Sequence, residues 1–250
     1  MNFAITLKII ASLLAIYLLI VLYVYVKQRS LLYLPNIDNY EDENLNIVAE
    51  NIYIKNTDNI NLRSLYYEHP ANTKNTLLMF HGNAGPIENR FYKINKLSKY
   101  KQNILLISWR SYSGNEGNPT EEGLYDDARS AIKWLEDKGI NINDIIIYGE
   151  SLGTAVSIEV AQKASFKGII LEAPFTSMID AAKYHYPYLP VGIMLKDKYL
   201  SDKKIKNINS PILIMHAMGD DIVPFRMGKT MFNLANEPKY NYFICLLYTS

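Results

Sequence analysis

The sequence predicts an α/β domain, with helices on both faces of a mostly parallel central sheet, preceded by one N-terminal transmembrane helix. Three observations lead to this prediction. Residues 9–26 are 18 consecutive positions without a charge. Five short, continuous apolar runs follow in the rest of the chain, and segments that can be helical lie between them. Strands that alternate with helices in this way indicate a parallel sheet with right-handed crossovers.

The bulk composition is that of one globular domain and excludes some classes of partner. The 250 residues are enough for one sizeable core. Lys and Arg number 26 and Asp and Glu number 25, which leaves a net charge of +1. A nucleic-acid-binding surface requires a basic excess, so we predict no nucleic-acid partner. The chain has one cysteine, which excludes an intramolecular disulfide, and we predict no metal ion and no cofactor.

The N-terminal apolar segment is predicted to be a single-pass transmembrane anchor over residues 5–27. As a helix, residues 9–26 rise about 27 Å, close to the ~30 Å hydrocarbon core of a bilayer. A cleaved signal peptide would have a shorter apolar region and a small-residue cleavage site, and no such site follows Val26. A buried core helix would show a polar face. Basic residues flank both ends of the segment, so the positive-inside rule favours neither side for the rest of the chain.

Two further segments follow the anchor. Residues 28–50 are predicted to be a linker, because their centre is polar and acidic. Residues 51–244 are predicted to form the α/β domain. This domain begins with residues 51–56 and 60–68, which alternate apolar and polar side chains around a Thr-Asp-Asn turn and therefore indicate a β-hairpin.

Five apolar runs after this hairpin show no polar alternation. A strand that is buried on both faces of a parallel sheet has this pattern. The predicted buried strands are Leu77–Phe80, Ile104–Ile107, Ile145–Tyr148, Ile169–Leu171 and Ile212–Met215.

The segments between these runs differ in character. After Thr120, which can cap a helix, apolar residues from Leu124 to Leu135 recur on one helical face, and two glutamates occupy the first turn. The stretch Pro174–Pro211 breaks the alternation of strands and helices and is rich in tyrosine and proline. We predict that it is an excursion or cap laid over the sheet.

Ser151 lies in the pattern Gly-Glu-Ser-Leu-Gly, between a predicted buried strand and a predicted helix. A serine hydroxyl is a weak nucleophile and must be presented on a sharp turn with a base in reach. The Gly-x-Ser-x-Gly pattern provides that turn between a strand and a helix. The alternative is a helix-capping serine that follows a glycine turn. The strand before the pattern and the helix after it favour Ser151 as a nucleophile.

Backbone N–H donors for a developing oxyanion are predicted at two positions. One is Leu152, at the start of the helix after the serine, and the second is Asn83, with Ala84 as an alternative. Asn83 lies in His-Gly-Asn-Ala-Gly, whose small residues follow the first buried strand and let the backbone approach a substrate. His81 precedes the serine and ends a buried strand, so we interpret it as a structural imidazole that holds this loop.

Asp220 is the predicted acid that orients the general base. It follows the strand Ile212–Met215, in a loop that leaves the carboxyl end of that strand. Asp221 is the immediate competitor, and a solvated, structural aspartate pair is the alternative to both.

Five sequence blocks of this kind occur in order along the chain. They are His81–Gly85, Trp109–Gly114 together with Pro119–Gly123, Gly149–Ala155, Leu171–Ser177 and His216–Pro224. Over residues 29–240 the chain resembles the α/β-hydrolase superfamily, and within it the membrane-anchored Bem46-like serine hydrolases, relatives of the abhydrolase-domain 13 and 17 proteins. The resemblance implies an α/β-hydrolase fold, Ser151 as nucleophile and Asp220 rather than Asp221 as acid. The chain departs from the family at Ser111, where glycine is usual.

The general base is missing from its expected place. The order of the triad in this superfamily is Ser, Asp, His, and none of the four histidines follows Asp220. Asn241–Ile244 has the pattern of a last strand, and we expect the histidine beyond it, so the chain is predicted to be C-terminally truncated. Cys245–Ser250 match the translation of a transposon end used in sequencing libraries, and we interpret these six residues as a sequencing-adapter scar rather than a natural hydrophobic C-terminus.

The leading functional prediction is hydrolysis of an ester or thioester through an acyl-enzyme on Ser151, with a small-molecule acyl substrate drawn from the membrane. An aminopeptidase of the same superfamily is the first alternative, and acidic residues near Ser151 would favour it. A non-catalytic α/β-hydrolase-like binding protein is the second alternative. Because triad members act as a unit, we predict that the 250-residue chain turns over slowly without its histidine.

Overall fold

A computed structural model describes residues 3–36 and 44–245. Eight strands form one sheet in the order β1-β2-β4-β3-β5-β6-β7-β8. β2 runs antiparallel to β1 and to β4, and all other neighbours are parallel. The strands are β1 Glu50–Lys55, β2 Asn61–Tyr67, β3 Thr76–Phe80, β4 Asn103–Ile107, β5 Ile145–Glu150, β6 Gly168–Glu172, β7 Ile212–Ala217 and β8 Lys239–Ile244. The predicted mostly parallel α/β architecture is confirmed.

Within these described ranges, eight α-helices accompany the sheet. They are α1 Phe3–Leu32, α2 Phe91–Leu97, α3 Glu121–Asp137, α4 Leu152–Ala161, α5 Met178–His185, α6 Val191–Met194, α7 Ser201–Lys204 and α8 Phe225–Leu234. α3 begins where predicted, because the Thr120 side chain accepts a hydrogen bond from the Gly123 N–H at 2.9 Å. Its buried face includes Leu124 and Leu135, as the apolar periodicity predicts.

The middle of the sheet is apolar on both faces. Every residue of β3 and β4 is buried, because helices and loops cover both sides of these two strands. The parallel register brings the carboxyl ends of β3, β5, β6 and β7 to one edge, which we call the carboxyl edge. Loops that leave this edge carry the predicted site residues.

The segment Pro174–Pro211 holds α5, α6 and α7 and connects β6 to β7. It therefore leaves the sheet at the carboxyl edge. The exposed side chains of this segment include Tyr184, Tyr186 and Tyr188.

α1 is long and apolar enough to cross a bilayer, by length and composition. It extends to Leu32, five residues past the predicted end of the anchor at Lys27. Residues 28–34, predicted to be linker, are folded against the domain instead, since Gln28 and Arg29 bond to the segment between β6 and β7. Residues 37–43 of the predicted linker and residues 246–250 of the predicted scar lie outside the described residues, and Cys245 is exposed.

Ser111 has φ +72°, in the left-handed region that glycine favours. This is the position at which the sequence departs from the resembled family. The turn around it is held by hydrogen bonds, among them Ser111 N–H to the Glu116 carbonyl at 3.0 Å. The serine is accommodated there at a backbone cost of about 1 kcal/mol.

Candidate active site

Ser151 joins β5 to α4 at the carboxyl edge. Its backbone has φ +48° and ψ −111°, a conformation that is strained for any residue with a side chain. The Ser151 N–H donates to the Glu172 carbonyl at 2.8 Å, which ties the turn to the end of β6. The Ser151 carbonyl accepts from the N–H and the hydroxyl of Thr154, at 2.9 and 2.6 Å. The turn is thus over-determined by its neighbours, which is how a strained backbone conformation persists.

The two glycines around Ser151 are required by close packing. A Cβ on Gly149 would lie 2.4 Å from Ser157 Oγ and 2.6 Å from the Gly153 carbonyl oxygen. A Cβ on Gly153 would lie 2.0 Å from the Phe80 carbonyl oxygen. The absence of a Cβ at Gly149 lets α4 pack closely on β5, and its absence at Gly153 lets α4 start directly against the end of β3 and the loop that follows it.

The loop that follows β3 passes next to Ser151. A Cβ on Gly82 would be 3.6 Å from the Ser151 Cβ. The Asn83 carbonyl accepts from the Leu34 N–H at 2.9 Å and from the Tyr112 hydroxyl at 2.8 Å, and the Asn83 side chain donates to the Leu32 carbonyl at 2.8 Å. These bonds hold the Asn83 carbonyl and side chain in place, and the Asn83 N–H, which belongs to the preceding peptide, has no acceptor within the described part of the chain.

The second predicted donor, the Leu152 N–H, is at the first residue of α4. The N–H groups of a first helical turn have no intrahelical acceptor and lie at the positive end of the helix dipole. The structure therefore places both predicted donors at the same edge as Ser151, one on the helix after it and one on the loop beside it.

His81 is buried at the base of this loop. Its Nδ1 is 2.8 Å from the Gly82 carbonyl oxygen, and its Nε2 is 3.4 Å from the Trp109 N–H. Burial, together with the nearby Arg90 guanidinium, lowers the pKa of His81 to about 3. The imidazole is therefore neutral at pH 7 and fixed by loop atoms, which is how a structural imidazole behaves.

Acid is expected to destabilise the protein through His81. The unfolded imidazole takes up a proton near pH 6.5 and the folded one near pH 3, so stability is complete above pH 6.5 and falls between the two values. In this window the free energy of unfolding changes with pH by up to about 1.4 kcal/mol per pH unit. The free energy of unfolding, measured with urea at several pH values, should depend less on pH in His81→Gln than in the parent. Equal slopes for the two proteins would show that His81 is protonated in the folded state.

Asp220 is held by its own loop. Its Oδ1 accepts from the Ile222 and Val223 N–H groups at 2.9 and 2.8 Å. Its Oδ2 lies 3.6 Å from Nε2 of His216, which is fully buried and bonds the Val223 carbonyl. These contacts fix the Asp220 carboxylate at the carboxyl edge, and no equivalent bond to the Asp221 carboxylate is found in the described residues.

A buried cluster of charges lies behind the serine turn, and no sequence motif predicts it. The Glu150 carboxylate, next to the serine, pairs with Arg90 at 2.9 Å and with Lys93 at 2.7 Å. Lys93 also pairs with Glu172, which accepts a hydrogen bond from the Tyr148 hydroxyl as well. Burial alone would raise the pKa of Glu150, but Arg90 and Lys93 outweigh it and lower that pKa to about 2.

The same cluster connects the serine turn to the loop after β3. Arg90 Nη1 donates to the Ala84 carbonyl at 2.7 Å, while its Nη2 bonds Glu150 Oε1. One guanidinium therefore fixes the residue before Ser151 and the residue after Asn83 in a single rigid unit. Its charge is confined between these partners, since the Arg90 side chain is only 5% exposed.

Comparison with known proteins identifies the family. The sequence model of the prolyl oligopeptidase family matches residues 116–249, just over half of the chain. The chain belongs to the prolyl oligopeptidase family of α/β hydrolases. A second family model, Chlamydia CHLPS protein (DUF818), matches residues 5–169. The α/β-hydrolase resemblance drawn from the motifs is confirmed.

Relatives of this hydrolase include proteins of named and unnamed activity. The uncharacterized protein Rv2307c of Mycobacterium tuberculosis is 31% identical over 223 residues, which cover 88% of this chain and 79% of that protein. Lysophosphatidylserine lipase ABHD12 of Danio rerio is 32% identical over 197 residues, 71% of this chain and 50% of the lipase. The Pyrococcus furiosus esterase Pf2001 superimposes with a TM-score of 0.69 at 15% identity, over 84% of this chain and 86% of the esterase.

The four histidines of the hydrolase lie in different places. His69 follows β2, and its backbone N–H donates to the Asn103 side chain at the start of β4. His69 therefore lies at the edge of the sheet opposite to the carboxyl edge, away from Ser151. His81 and His216 are buried at the carboxyl ends of β3 and β7. His185, at the end of α5, is exposed and its Nε2 lies 2.8 Å from the Ile222 carbonyl oxygen.

The end of β8 lies beside the acid loop. The Met218 N–H donates to the Ile244 carbonyl at 2.8 Å, two residues before Asp220. The carboxyl end of β8 therefore lies at the carboxyl edge, beside the loop that carries Asp220. This is the place where the motif order predicts the histidine. Among the described residues, no group of three His, Cys, Asp or Glu side chains is arranged to hold a metal ion.

Proposed function

We propose that this hydrolase cleaves an ester or thioester through an acyl-enzyme formed on Ser151. The observation that carries the proposal is the strained backbone of Ser151, with φ +48° at the junction of β5 and α4 and the Gly82 loop packed beside it. A structural helix cap does not need this conformation, because N-cap residues adopt ordinary extended backbone angles.

In the proposed reaction the Ser151 Oγ attacks the acyl carbon while its proton passes to a general base. The oxyanion that forms accepts hydrogen bonds from the Asn83 and Leu152 N–H groups. Its collapse breaks the bond to the alcohol or thiol, which leaves with the proton from the base. Water then attacks the acyl-enzyme by the reverse path and frees the acid and the serine. Asp220 orients the base and stabilises its charged form.

The proposed base is a histidine from the segment that follows β8, since the Ile244 carbonyl bonds the acid loop. No histidine follows Asp220 within the 250 residues. General-base assistance contributes about 10²- to 10⁴-fold to such reactions. We therefore propose that the 250-residue chain acylates slowly, with the nucleophile, the donors and the acid in place.

An ester or thioester is favoured as substrate over a peptide with a free N-terminus. An aminopeptidase needs free carboxylates to bind the substrate ammonium group. The three aspartates of the segment between β6 and β7 are instead engaged within the protein. Asp180 bonds Thr176, Asp197 pairs with Arg29, and Asp202 pairs with Lys203. The name of one relative, a lysophosphatidylserine lipase, agrees with this choice.

We also propose that α1 anchors the hydrolase in a membrane as a single span. Its apolar side chains are exposed over the length needed to cross a bilayer, with no charge between Lys8 and Lys27. An anchored enzyme meets membrane-borne acyl esters at high local concentration, so an amphipathic ester with an apolar acyl chain is the proposed substrate class.

Imidazole in solution is expected to accelerate hydrolysis by this chain, because it can take the proton that the missing histidine would accept. The measurement is hydrolysis of a p-nitrophenyl acyl ester by the detergent-solubilised chain, with and without imidazole. Ser151→Ala, measured in parallel, supplies the background from imidazole alone. The proposal predicts that the imidazole-dependent rate exceeds this background by 10-fold or more. Equal rates for the chain and Ser151→Ala would contradict it.

A substitution at His185 tests whether that residue already acts as the base. It is the exposed histidine beside the acid loop, through the Ile222 carbonyl. His185→Ala is expected to retain the slow basal rate and the imidazole response of the unsubstituted chain. A loss of basal rate in His185→Ala, with recovery by imidazole, would assign the base to His185 instead.

A further inference from the structure

α1 does not stand apart from the hydrolase domain, because residues 186–195, which we call the cap loop, run along it. The Tyr17 hydroxyl donates to the Tyr188 carbonyl at 3.0 Å. Nearer the domain, the Gln28 side chain donates to the Met194 carbonyl at 3.2 Å and accepts from the Lys196 N–H at 2.7 Å. The cap loop therefore contacts the helix at two levels that are 11 residues apart.

The contact at Gln28, nearer the domain, adjoins a group of charged side chains. Arg29 forms a two-point ion pair with Asp197, at 2.8 and 3.0 Å. The Lys196 ammonium lies 4.7 Å from the centre of the Tyr25 ring. Charged groups thus gather at the end of the helix nearest the domain, as they do where a membrane span meets the headgroup region.

The cap loop itself carries no charge. Its sequence, Tyr-Pro-Tyr-Leu-Pro-Val-Gly-Ile-Met-Leu, is ten residues without Asp, Glu, Lys or Arg, between Lys183 on one side and Lys196 on the other. Some of its large side chains are nevertheless exposed, Ile193 at 90% and Tyr188 at 66%, while others, such as Leu189, are buried. An exposed apolar patch bordered by basic residues is typical of a surface that enters a membrane.

The backbone of the cap loop is also unusually well satisfied for an exposed loop. Its two prolines have no N–H, and at least six of the other eight N–H groups donate to backbone carbonyls, as the Ile193 and Met194 N–H groups do to Pro190. The Tyr188 carbonyl is satisfied by Tyr17. Hydrocarbon tolerates irregular backbone only when its polar groups are paired within the protein, and the cap loop approaches this condition.

The level at which the cap loop meets α1 decides its environment. Tyr17 precedes Arg29 by 12 residues, which corresponds to about 18 Å along a helix. If the charged end of α1 lies in the headgroups, Tyr17 lies deep in the ~30 Å hydrocarbon core, and Tyr188 is beside it. The two cannot be separated without losing their hydrogen bond.

We propose that the cap loop is embedded in the bilayer leaflet that the C-terminal half of α1 crosses, in contact with lipid acyl chains. This rests on the proposed membrane anchoring by α1. A surface hollow of about 400 Å³, lined by Pro187, residues 189–193 and Lys183, opens on the same loop and is large enough for part of an acyl chain. The domain would thereby bind its proposed substrate, an amphipathic ester with an apolar acyl chain, at the lipid surface rather than from water.

Depth-dependent fluorescence quenching tests the proposal. In a Cys245→Ser background, single cysteines replace Ile193 or Tyr188 in the cap loop, Leu19 in α1, or Tyr100 after α2. All four side chains are exposed. Each variant is labelled with an environment-sensitive fluorophore and reconstituted into phosphatidylcholine vesicles that contain lipids with a quencher on the acyl chain. We expect the cap-loop and Leu19 probes to lose most of their fluorescence and the Tyr100 probe to lose little.

The outcomes distinguish a failure of the cap-loop proposal from a failure of the anchor proposal or of the hydrolase proposal. Quenching at Leu19 without quenching at either cap-loop position would overturn the proposal and leave the anchor standing. No quenching at Leu19 would overturn the anchor and the cap-loop proposal together. Reaction of Ser151 with an activity probe is scored on the same samples, so a failure of the hydrolase proposal is detected independently of the depth result.

Discussion

Replacing Gly153 with alanine is expected to lower the free energy of unfolding by about 3 kcal/mol or more. The added Cβ would lie 2.0 Å from the Phe80 carbonyl oxygen, 2.6 Å from the Phe80 carbonyl carbon and 2.9 Å from the His81 carbonyl oxygen. All three are backbone atoms of β3 and its loop, which no rotamer change can move. The gain in helix propensity, about 1 kcal/mol, opposes the clash but is smaller. Urea unfolding of the detergent-solubilised chain measures the loss.

Gly168→Ala is the matched control for this substitution. It adds the same methyl group to β6, where the contact to the Pro211 carbonyl oxygen would be an ordinary 3.7 Å. Its effect on the unfolding free energy is expected to stay within about 1 kcal/mol. If Gly153→Ala were as mild as Gly168→Ala, α4 could shift away from β3, and the close approach would not be a requirement of the turn.

Replacing Arg90 with methionine is expected to destabilise the protein by about 3–5 kcal/mol, because it leaves a buried carboxylate short of a partner. Arg90 is 5% exposed and bonds both Glu150 and the Ala84 carbonyl. The substitution should also raise the pKa of Glu150 from its low value, since Arg90 is a main cause of the lowering. Acid should then cost the variant less stability between pH 4.5 and pH 2 than it costs the parent.

Two further variants test the origin of this effect. Lys133→Met removes a cation from an exposed pair with Asp137 and is expected to cost less than about 1 kcal/mol. Combining Arg90→Met with Glu150→Gln should cost clearly less than the sum of the two single changes, since the uncompensated charge is gone. An additive double variant would mean that Arg90 acts through packing alone.

Much of the fold follows from patterns that are local in the sequence. Continuous apolar runs such as Ile104–Ile107 fix the central strands, because only a strand covered on both faces needs them. The cap at Thr120 fixes the start of α3. The glycines at 149 and 153 could be predicted from the motif, and the structure adds the physical reason, which is the contact of α4 with β5 at Gly149 and with β3 at Gly153.

The contacts that could not be predicted join residues far apart in the chain. Arg90 meets Glu150 across 60 positions, and Arg29 meets Asp197 across 168 positions. Neither pair belongs to a periodic pattern, so no property of the local sequence signals it. Gln28 likewise bonds a residue 168 positions away, Lys196, and no local pattern within residues 28–50 predicts this contact.

Covalent labelling shows whether Ser151 is the nucleophile. A fluorophosphonate transfers its phosphonyl group to an activated serine oxygen and releases fluoride, and the modified residue is then identified by peptide mass spectrometry. With imidazole present as the base, we expect an adduct on the peptide that contains Ser151 and its loss in Ser151→Ala. An adduct on another serine, or equal labelling of the Ser151→Ala chain, would show that Ser151 is not the nucleophile.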